Sequence, residues 1–172
     1  ILINIILYMV KSKKKKTIKK NNVDYVVAIP TYKRYEEVTT KTLPTLKRGK
    51  VDKKRIYVFV ASKSEERLYR EKMDPDTYHK IVVGKKGLVP QRRYISQYFP
   101  EGTKIVSMDD DVQNMIILKR DDSLKKIANL DSLFKRAFKT LNKHDLYLWG
   151  VYPVKNNLFM KRSVTTDLRF II

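Results

Sequence analysis

The chain has 172 residues, which is enough for one domain with a core of its own. It carries 38 Lys and Arg against 18 Asp and Glu, a formal net charge of +20, yet 42% of its residues are hydrophobic, which excludes a wholly disordered polycation. Because it contains no Cys and only two His, disulfide scaffolds, thiolate zinc sites and cysteine nucleophiles are excluded, and any metal must be held by carboxylates.

Residues 1–20 are predicted to form an apolar and basic tail. The first ten are almost all apolar, but a helix needs about 20 residues to cross a bilayer. Because no initiator Met is present, the run could be the end of a transmembrane or signal segment that starts upstream. A strand followed by a solvated tail is the favoured interpretation, with membrane contact not expected. Residues 11–20 hold seven lysines and no acid, so we expect them to attract polyanions such as DNA.

Residues 21–172 are predicted to form one α/β domain. Four short apolar runs, each typical of a strand buried on both faces of a parallel sheet, alternate with helical stretches. The predicted strands are residues 25–29, 55–60, 80–83 and 104–108, and the predicted helices are residues 35–47 with a break at Pro44, 64–73 and 90–98. This order predicts a Rossmann-like, mostly parallel sheet flanked by helices.

The chain after the fourth strand continues the domain. The predicted elements are a strand at 115–118, a turn at 121–123, a helix at 130–141 and strands at 147–152 and 168–172. The helix is predicted from apolar residues at helical spacing, namely Leu130, Leu133, Phe134, Ala137, Phe138 and Leu141. Since the chain stops within the last predicted strand, we expect the domain to be incomplete at its C-terminal end.

Three consecutive carboxylates, Asp109, Asp110 and Asp111, directly follow the fourth predicted strand. Open α/β sheets bind their ligands at the carboxyl ends of the strands, and such a cluster is unfavourable unless a cation neutralises it. In an extended segment Asp109 and Asp111 project to one side and Asp110 to the other. This pair is therefore predicted to hold Mg²⁺ or Mn²⁺ beside a phosphate-bearing ligand. An acidic turn or a helix cap is the alternative interpretation.

Two basic loops are predicted to reach the same edge of the sheet. Residues 29–34 leave the first strand and end in Arg34, and residues 84–93 feed a helix whose first turn carries Arg92 and Arg93. Cationic side chains and free N–H groups at a helix start favour an anion. Each loop alone is better explained as a solvated basic turn. Their convergence with the carboxylates predicts a site for a metal-bound, phosphate-rich ligand.

Six segments in this order resemble the glycosyltransferase-A fold and, within it, the TET-associated glycosyltransferase group of phages and large DNA viruses. The segments are VAIPTYKR (27–34), VFVASKSEE (58–66), IVVGKKGLVPQRR (81–93), IVSMDDD (105–111), WGVYPVKNNLFM (149–160) and TTDLRF (165–170). The resemblance covers about residues 23–172. It rests on the ordered set, because Asp-x-Asp alone is a weak motif.

The resemblance implies a hexosyltransferase-type enzyme that uses a nucleotide-sugar, usually a UDP-sugar, with its diphosphate on a bound metal ion acting as a Lewis acid. The implied donor-binding residues are Pro30, Thr31 and Arg34 at the nucleotide, Ser62 and Glu65 at the base, Gln91 and Arg92 at ribose or phosphate, and Asp109 at ribose, with Asp111 and Asp109 on the metal. The implied acceptor is a hydroxymethylated pyrimidine in DNA, which would give the basic surface a purpose.

The base that takes the proton from the acceptor hydroxyl is expected to be Asp167. An inverting transferase needs a carboxylate within hydrogen-bond reach of that hydroxyl. After Asp122 the chain offers only Asp131, Asp145 and Asp167. Asp131 is expected to cap the helix that it opens, and Asp145 is expected in the turn after that helix.

Other functions fit parts of the sequence. A viral glycosyltransferase that acts on protein or glycan would share the donor site. A basic, non-enzymatic α/β module that binds nucleic acid explains the charge but not the concentrated carboxylates. Palm polymerases also place Met-Asp-Asp after a strand, but they need a second carboxylate strand for their two metals, which is absent here. The expected partners are the nucleotide-sugar and DNA without an obligate protein partner, and the expected location is the cytoplasm, or the host cytoplasm or nucleus for a viral protein.

Overall fold

A computed structural model describes residues 5–8, 24–151 and 160 of the chain. Its strands are β1 (Ile5–Tyr8), β2 (Val26–Pro30), β3 (Ile56–Val60), β4 (Lys80–Val83), β5 (Ile105–Met108), β6 (Ile116–Leu118), β7 (Leu124–Lys126) and β8 (Leu148–Gly150). Six of them form one sheet in the order β4-β3-β2-β5-β1-β8, and β6 pairs with β7 in a hairpin. β2 to β5 are parallel, whereas β1 runs antiparallel to both β5 and β8.

Helices cover both faces of the parallel strands. They are α1 (Tyr35–Glu37), a π-helical segment (Val38–Thr42), α2 (Leu43–Arg48), α3 (Lys63–Lys72), α4 (Leu88–Tyr98) and α5 (Leu130–Lys143), with short 3-10 turns at Lys53–Arg55 and Pro75–Thr77. Because side chains alternate along a strand, Val27 and Ile29 pack with α2, α3 and α5 on one face, while Val26 and Ala28 pack with α4 on the other. This three-layer arrangement confirms the predicted α/β fold.

The four predicted parallel strands are confirmed to within one residue at each end. Burial explains this agreement, because β5 is buried along its whole length and β2 and β3 nearly so. Apolar residues in such strands are needed on both faces, so the sequence pattern is continuous and easy to detect.

The predicted helix break at Pro44 is wrong. The chain stays helical from Tyr35 to Arg48, and Pro44 is the second residue of α2. The N–H of Leu43 donates to the carbonyl of Val38, five residues earlier, which is the wide π spacing. Pro44 has no N–H to donate, and the π-helical turn directly before it accommodates the proline within the continuous helix.

Two further helix ends differ from the prediction. α4 begins at Leu88 rather than at residue 90, so Pro90 is its third residue, still within the first turn. α5 is capped by Asn129, whose side chain accepts a hydrogen bond from the N–H of Ser132. Asp131 is therefore not the cap of this helix: it accepts a hydrogen bond from the Tyr25 hydroxyl at 2.8 Å instead.

The β6–β7 hairpin and the outer part of the main sheet extend the predicted architecture. The sequence pattern does not predict β7, because all three of its residues are exposed and two are lysines. β1 comes from the segment predicted to be a tail, and its backbone pairs with β5 from Ile5 opposite Met108 to Tyr8 opposite Ile105. The apolar part of residues 1–20 thus contributes a strand to the sheet.

Several predicted features lie outside the described residues. They are residues 11–20, the strand at 168–172 and Asp167. The strand predicted at 147–152 is shorter, Leu148–Gly150. Within the residues that the structure does describe, no helix is both long and apolar enough to cross a membrane.

Candidate active site

The three carboxylates form a turn at the carboxyl end of β5. We call Asp109, Asp110 and Asp111 the carboxylate cluster. Its backbone is held by Thr42 of the π-helical segment, whose hydroxyl donates to the carbonyl of Asp109 and accepts from the N–H of Val112, both at 2.9 Å. The helices after β2 thus fix the loop after β5, although the two are about 70 residues apart in the chain.

Arg34 bridges two members of the carboxylate cluster. Its Nη1 lies 2.9 Å from Oδ1 of Asp110, and its Nη2 lies 2.9 Å from Oδ2 of Asp111. The other oxygen of Asp110 accepts a hydrogen bond of 2.8 Å from the hydroxyl of Thr31, on the loop after β2. Asp110 is only 6% exposed, so its carboxylate is both buried and fully engaged.

Arg92 contacts the third carboxylate, Asp109, from the other face of the sheet. Its Nη2 lies 3.2 Å from Oδ1 of Asp109, and Arg92 belongs to the second turn of α4. Its Nε is buried without a hydrogen-bond partner among the described residues. The Arg92 side chain is 29% exposed, so its guanidinium is accessible to an anionic ligand. The prediction that Asp109 and Asp111 project to one side is wrong, because Asp110 and Asp111 lie in a turn and share Arg34.

The electrostatics of the cluster are those of a site that favours more positive charge. Burial raises the pKa of Asp109 and of Asp110 above the ordinary aspartate value, with neighbouring carboxylates adding to the rise and the arginines opposing it. The hydrogen bond to Asp111 raises the pKa of Arg34, which stays a full cation. Two arginines therefore do not fully compensate three crowded carboxylates.

Glu65 and Tyr69 of α3 build the loop that carries Arg34. One oxygen of Glu65 accepts the N–H of Lys33 at 2.7 Å and the other accepts the N–H of Ala61 at 2.8 Å. The hydroxyl of Tyr69 accepts the N–H of Arg34 at 2.9 Å and lies 2.9 Å from the hydroxyl of Thr31. Lys33 has a φ of 55°, which only a well-anchored loop sustains in a residue other than glycine.

Gln91 ties the end of β3 to the loop after β4 through its side-chain amide. Its Oε1 accepts the N–H of Lys85 at 2.6 Å, and its Nε2 donates to the carbonyl of Val60 at 3.2 Å. The residue is only 4% exposed. The side-chain amide is thus engaged by the backbone of two loops, and it supports the edge of the sheet.

The predicted site residues divide into two groups. Thr31, Arg34, Arg92 and the carboxylate cluster meet at one edge. Ser62 caps α3 by accepting the N–H of Glu65 at 3.2 Å. Glu65 connects the loops after β2 and β3 through the N–H groups of Lys33 and Ala61. Pro30 is the half-buried last residue of β2, paired with Phe59. Asp167 lies outside the described residues.

Two residues that sequence reasoning missed are Thr42 and Tyr69. Both are completely buried polar or semi-polar residues on helices that pack against the sheet. For Tyr69 the available signal is its position four residues after Glu65, which places both on one face of α3. For Thr42 no sequence signal indicates the contact, because π spacing alters the face on which it lies.

Asp109 and Asp111 are the two members of the carboxylate cluster that could hold a divalent cation such as Mg²⁺. Among the described residues no three His, Cys, Asp or Glu side chains converge as a complete metal cage. Mg²⁺ does not need one, because it usually takes one or two carboxylates and completes its octahedron with water and substrate phosphates. The side chains of Asp109 and Asp111 are 27% and 25% exposed, whereas that of Asp110 is 8%. The accessible oxygens are therefore those of Asp109 and Asp111.

The cluster lies on an open edge of the sheet rather than in an enclosed cavity. A cavity of about 330 Å³ lies at the opposite end, where Tyr25 precedes β2 and Lys104 precedes β5. Two arginines and three carboxylates converge at the carboxyl edge, and parallel sheets bind ligands there. The carboxyl edge is therefore the candidate active site.

Comparison with known proteins gives one family. A family model described as TET-Associated Glycosyltransferase matches residues 25–152, about three quarters of the chain. The matched span runs from the start of the first parallel strand to beyond β8, and it contains Thr31, Arg34, Arg92 and the whole carboxylate cluster. No curated protein and no solved structure matches the chain.

Proposed function

Because the chain belongs to the TET-associated glycosyltransferase family, we propose that it transfers sugar from a UDP-sugar to an acceptor hydroxyl with Mg²⁺ or Mn²⁺ as cofactor. The family makes the chain a glycosyltransferase, which needs a nucleotide-sugar donor and an acceptor. The observation that carries the proposal is the meeting of Arg34, Arg92 and the carboxylate cluster at the carboxyl edge of the parallel sheet. This combination suits a diphosphate bound through both arginines and a metal ion.

The chain's own residues have distinct tasks in this proposal. Asp109 and Asp111 would hold the metal, which would supply positive charge to the diphosphate leaving group. Arg92 and Arg34, whose side chains are 29% and 46% exposed, bind the phosphate oxygens. Asp110 stays in its hydrogen bond with Thr31 and holds the loop in place. The acceptor oxygen forms the new glycosidic bond, and Asp167 takes its proton.

The proposed acceptor is a hydroxymethylated pyrimidine in DNA. It is supported by the net charge of +20, which raises the local concentration of a polyanionic acceptor, and by the resemblance to transferases of DNA viruses. Transfer to a protein or a glycan is the alternative, and a direct comparison of acceptors distinguishes the two.

The experiment is a transfer assay with radiolabelled UDP-sugars and three acceptors: DNA with hydroxymethylated pyrimidines, a protein mixture and a glycan mixture. Transfer to the DNA alone, abolished by EDTA and restored by Mn²⁺, is the expected result. The Asp111→Asn variant is the matched control for the metal site. Label in protein or glycan alone would contradict the acceptor assignment, and full transfer in EDTA would contradict the metal requirement.

A further inference from the structure

We propose that Arg34 is an exchangeable counter-ion of the metal site. Its guanidinium neutralises Asp111 while no donor is bound, and it moves to the diphosphate of the donor when a divalent cation takes its place. The inference rests on the proposed function and goes beyond it, because it states the order and coupling of metal and donor binding.

The first argument is that Arg34 occupies an oxygen of Asp111, which is also a proposed metal ligand. The guanidinium bridges Asp110 and Asp111 with two contacts of 2.9 Å. A Mg²⁺ ion bound to Asp111 at the usual distance of about 2.1 Å would lie within a few ångströms of this positive group. Two like charges that close repel strongly, so a cation gains its full affinity for Asp111 only after the guanidinium leaves.

The second argument is that the side chain can leave without disturbing the loop. The Arg34 side chain is 46% exposed, and that of Asp111 is 25% exposed, so the contact between them opens directly to solvent. The backbone of Arg34 is held independently, because its N–H donates to the hydroxyl of Tyr69. Asp110 keeps its hydrogen bond from Thr31 when the guanidinium moves.

The third argument is the balance of charge. The carboxylate cluster carries three negative charges, and Arg34 and Arg92 return two positive ones. A divalent cation in place of Arg34 makes the cluster neutral but leaves Arg34 without its partners. A diphosphate without metal meets a cluster that is still net negative. Each ligand therefore supplies what the other's binding requires, and the two are expected to bind cooperatively.

The experiment measures Mn²⁺ binding by the electron paramagnetic resonance signal of the free ion, with and without a saturating nucleoside diphosphate, and a protein-free blank gives the Mn²⁺ that the diphosphate itself binds. The diphosphate used is the tightest binder among UDP, GDP, ADP, CDP and dTDP. In the unaltered chain the diphosphate is expected to tighten Mn²⁺ binding at least about fivefold, the lower end of ordinary coupling between sites. In Arg34→Gln, Mn²⁺ alone should bind more tightly, and the effect of the diphosphate should fall to the part that comes from its direct contact with the metal ion.

Two more variants sharpen the measurement. Arg34→Lys keeps the charge but cannot bridge two carboxylates with a planar fork, so its coupling should be intermediate. Arg70→Gln is the matched control for removal of one arginine, because Arg70 pairs with Glu66 on the outer face of α3. It should behave like the unaltered chain.

The outcomes separate this inference from the proposed function. Absence of both Mn²⁺ and diphosphate binding in the unaltered chain would refute the proposed function and this inference together. Binding of both ligands with no coupling, or with the same coupling in Arg34→Gln, would refute the role of Arg34 alone. If the variants do not fold, the guanidinium NMR signals of Arg34 in the unaltered chain test the inference. These signals should change when Mg²⁺ and diphosphate are added together and should not change with Mg²⁺ alone. Unchanged signals in the complex would overturn the inference.

Discussion

Replacing Thr42 by valine should release the loop that carries the metal-binding carboxylates. The two side chains have nearly the same volume, so the substitution removes the hydroxyl without opening a cavity. Thr42 is completely buried, and its hydroxyl satisfies both the carbonyl of Asp109 and the N–H of Val112. The Thr42→Val variant therefore leaves two polar groups of the loop without their partner.

The expected decrease in stability follows from these two bonds. A buried N–H left unsatisfied costs about 1–3 kcal/mol, and removal of the second hydrogen bond adds about 1 kcal/mol. A total of about 3 kcal/mol corresponds to a fall of about 6–12 °C in Tm for a domain of this size. The variant should still fold, because native domains are stable by about 5–15 kcal/mol.

Ligand binding should fall with stability, because binding must restore the position of the loop. Each ~1.4 kcal/mol that binding has to supply lowers the affinity tenfold, so we expect Mn²⁺-dependent UDP affinity to drop by about tenfold or more. Differential scanning fluorimetry gives Tm, and isothermal titration calorimetry gives the affinity.

Two control variants separate the hydroxyl from other effects of the substitution. Thr42→Ser keeps the hydroxyl and should retain UDP affinity despite a modest decrease in packing. Thr40→Val lies in the same π-helical segment, but its exposed hydroxyl bonds only to the carbonyl of Glu36, so both properties should stay unchanged. A Thr42→Val variant with unaltered Tm and unaltered UDP affinity would refute the role of the hydroxyl.

Three further predictions concern charge. Asp111→Asn should abolish Mn²⁺-dependent UDP binding in calorimetry while Tm without metal stays level or rises, because repulsion from its neighbours is relieved; retained Mn²⁺-dependent affinity would contradict the site. Burial raises the pKa of Asp110, so between about pH 4 and the raised pKa the folded chain holds a proton that the unfolded chain has lost. The free energy of unfolding should therefore fall as the pH rises through this range. Urea titrations should show a flatter pH dependence for Asp110→Asn, and an unchanged one would argue against that pKa shift. Replacing the seven lysines of residues 11–20 by glutamine should reduce the salt dependence of DNA binding and leave UDP binding unchanged. The slope of log affinity against log salt concentration should fall in magnitude by about 0.9 for each DNA phosphate that is no longer neutralised. An unaltered slope would show that the lysines do not bind DNA.

The sequence predicts best the strands and helices whose apolar residues are largely buried. The parallel strands are continuous apolar runs because both faces are buried, and the amphipathic helix α5 shows its buried stripe directly. The carboxylate cluster is detectable for a related reason, since three adjacent acids after a buried strand repel one another unless positive charge lies beside them.

Polar residues that bond across long stretches of chain are harder to assign. Glu65 and Gln91 occur in segments that resemble donor-binding motifs, yet their side chains are engaged by loop backbone. Asp131 occupies a position typical of a helix start, but Asn129 is the cap and Asp131 pairs with Tyr25. The sequence shows which groups need partners, while the packing of helices on the sheet decides which partner each receives.

The place of β1 in the sheet has a consequence for synthesis on the ribosome. β1 is made before all the parallel strands, yet it pairs with β5 and β8, so its neighbour Ile105 emerges about 100 residues after Tyr8. At about 5–20 residues per second, an apolar strand waits on the order of 5–20 s with both edges unpaired, which is long enough to associate with other nascent chains. The lysines that follow it in the sequence are the kind of flanking residue that protects such strands. Their charge would then matter before the sheet exists, by keeping its earliest strand soluble until its partners are made.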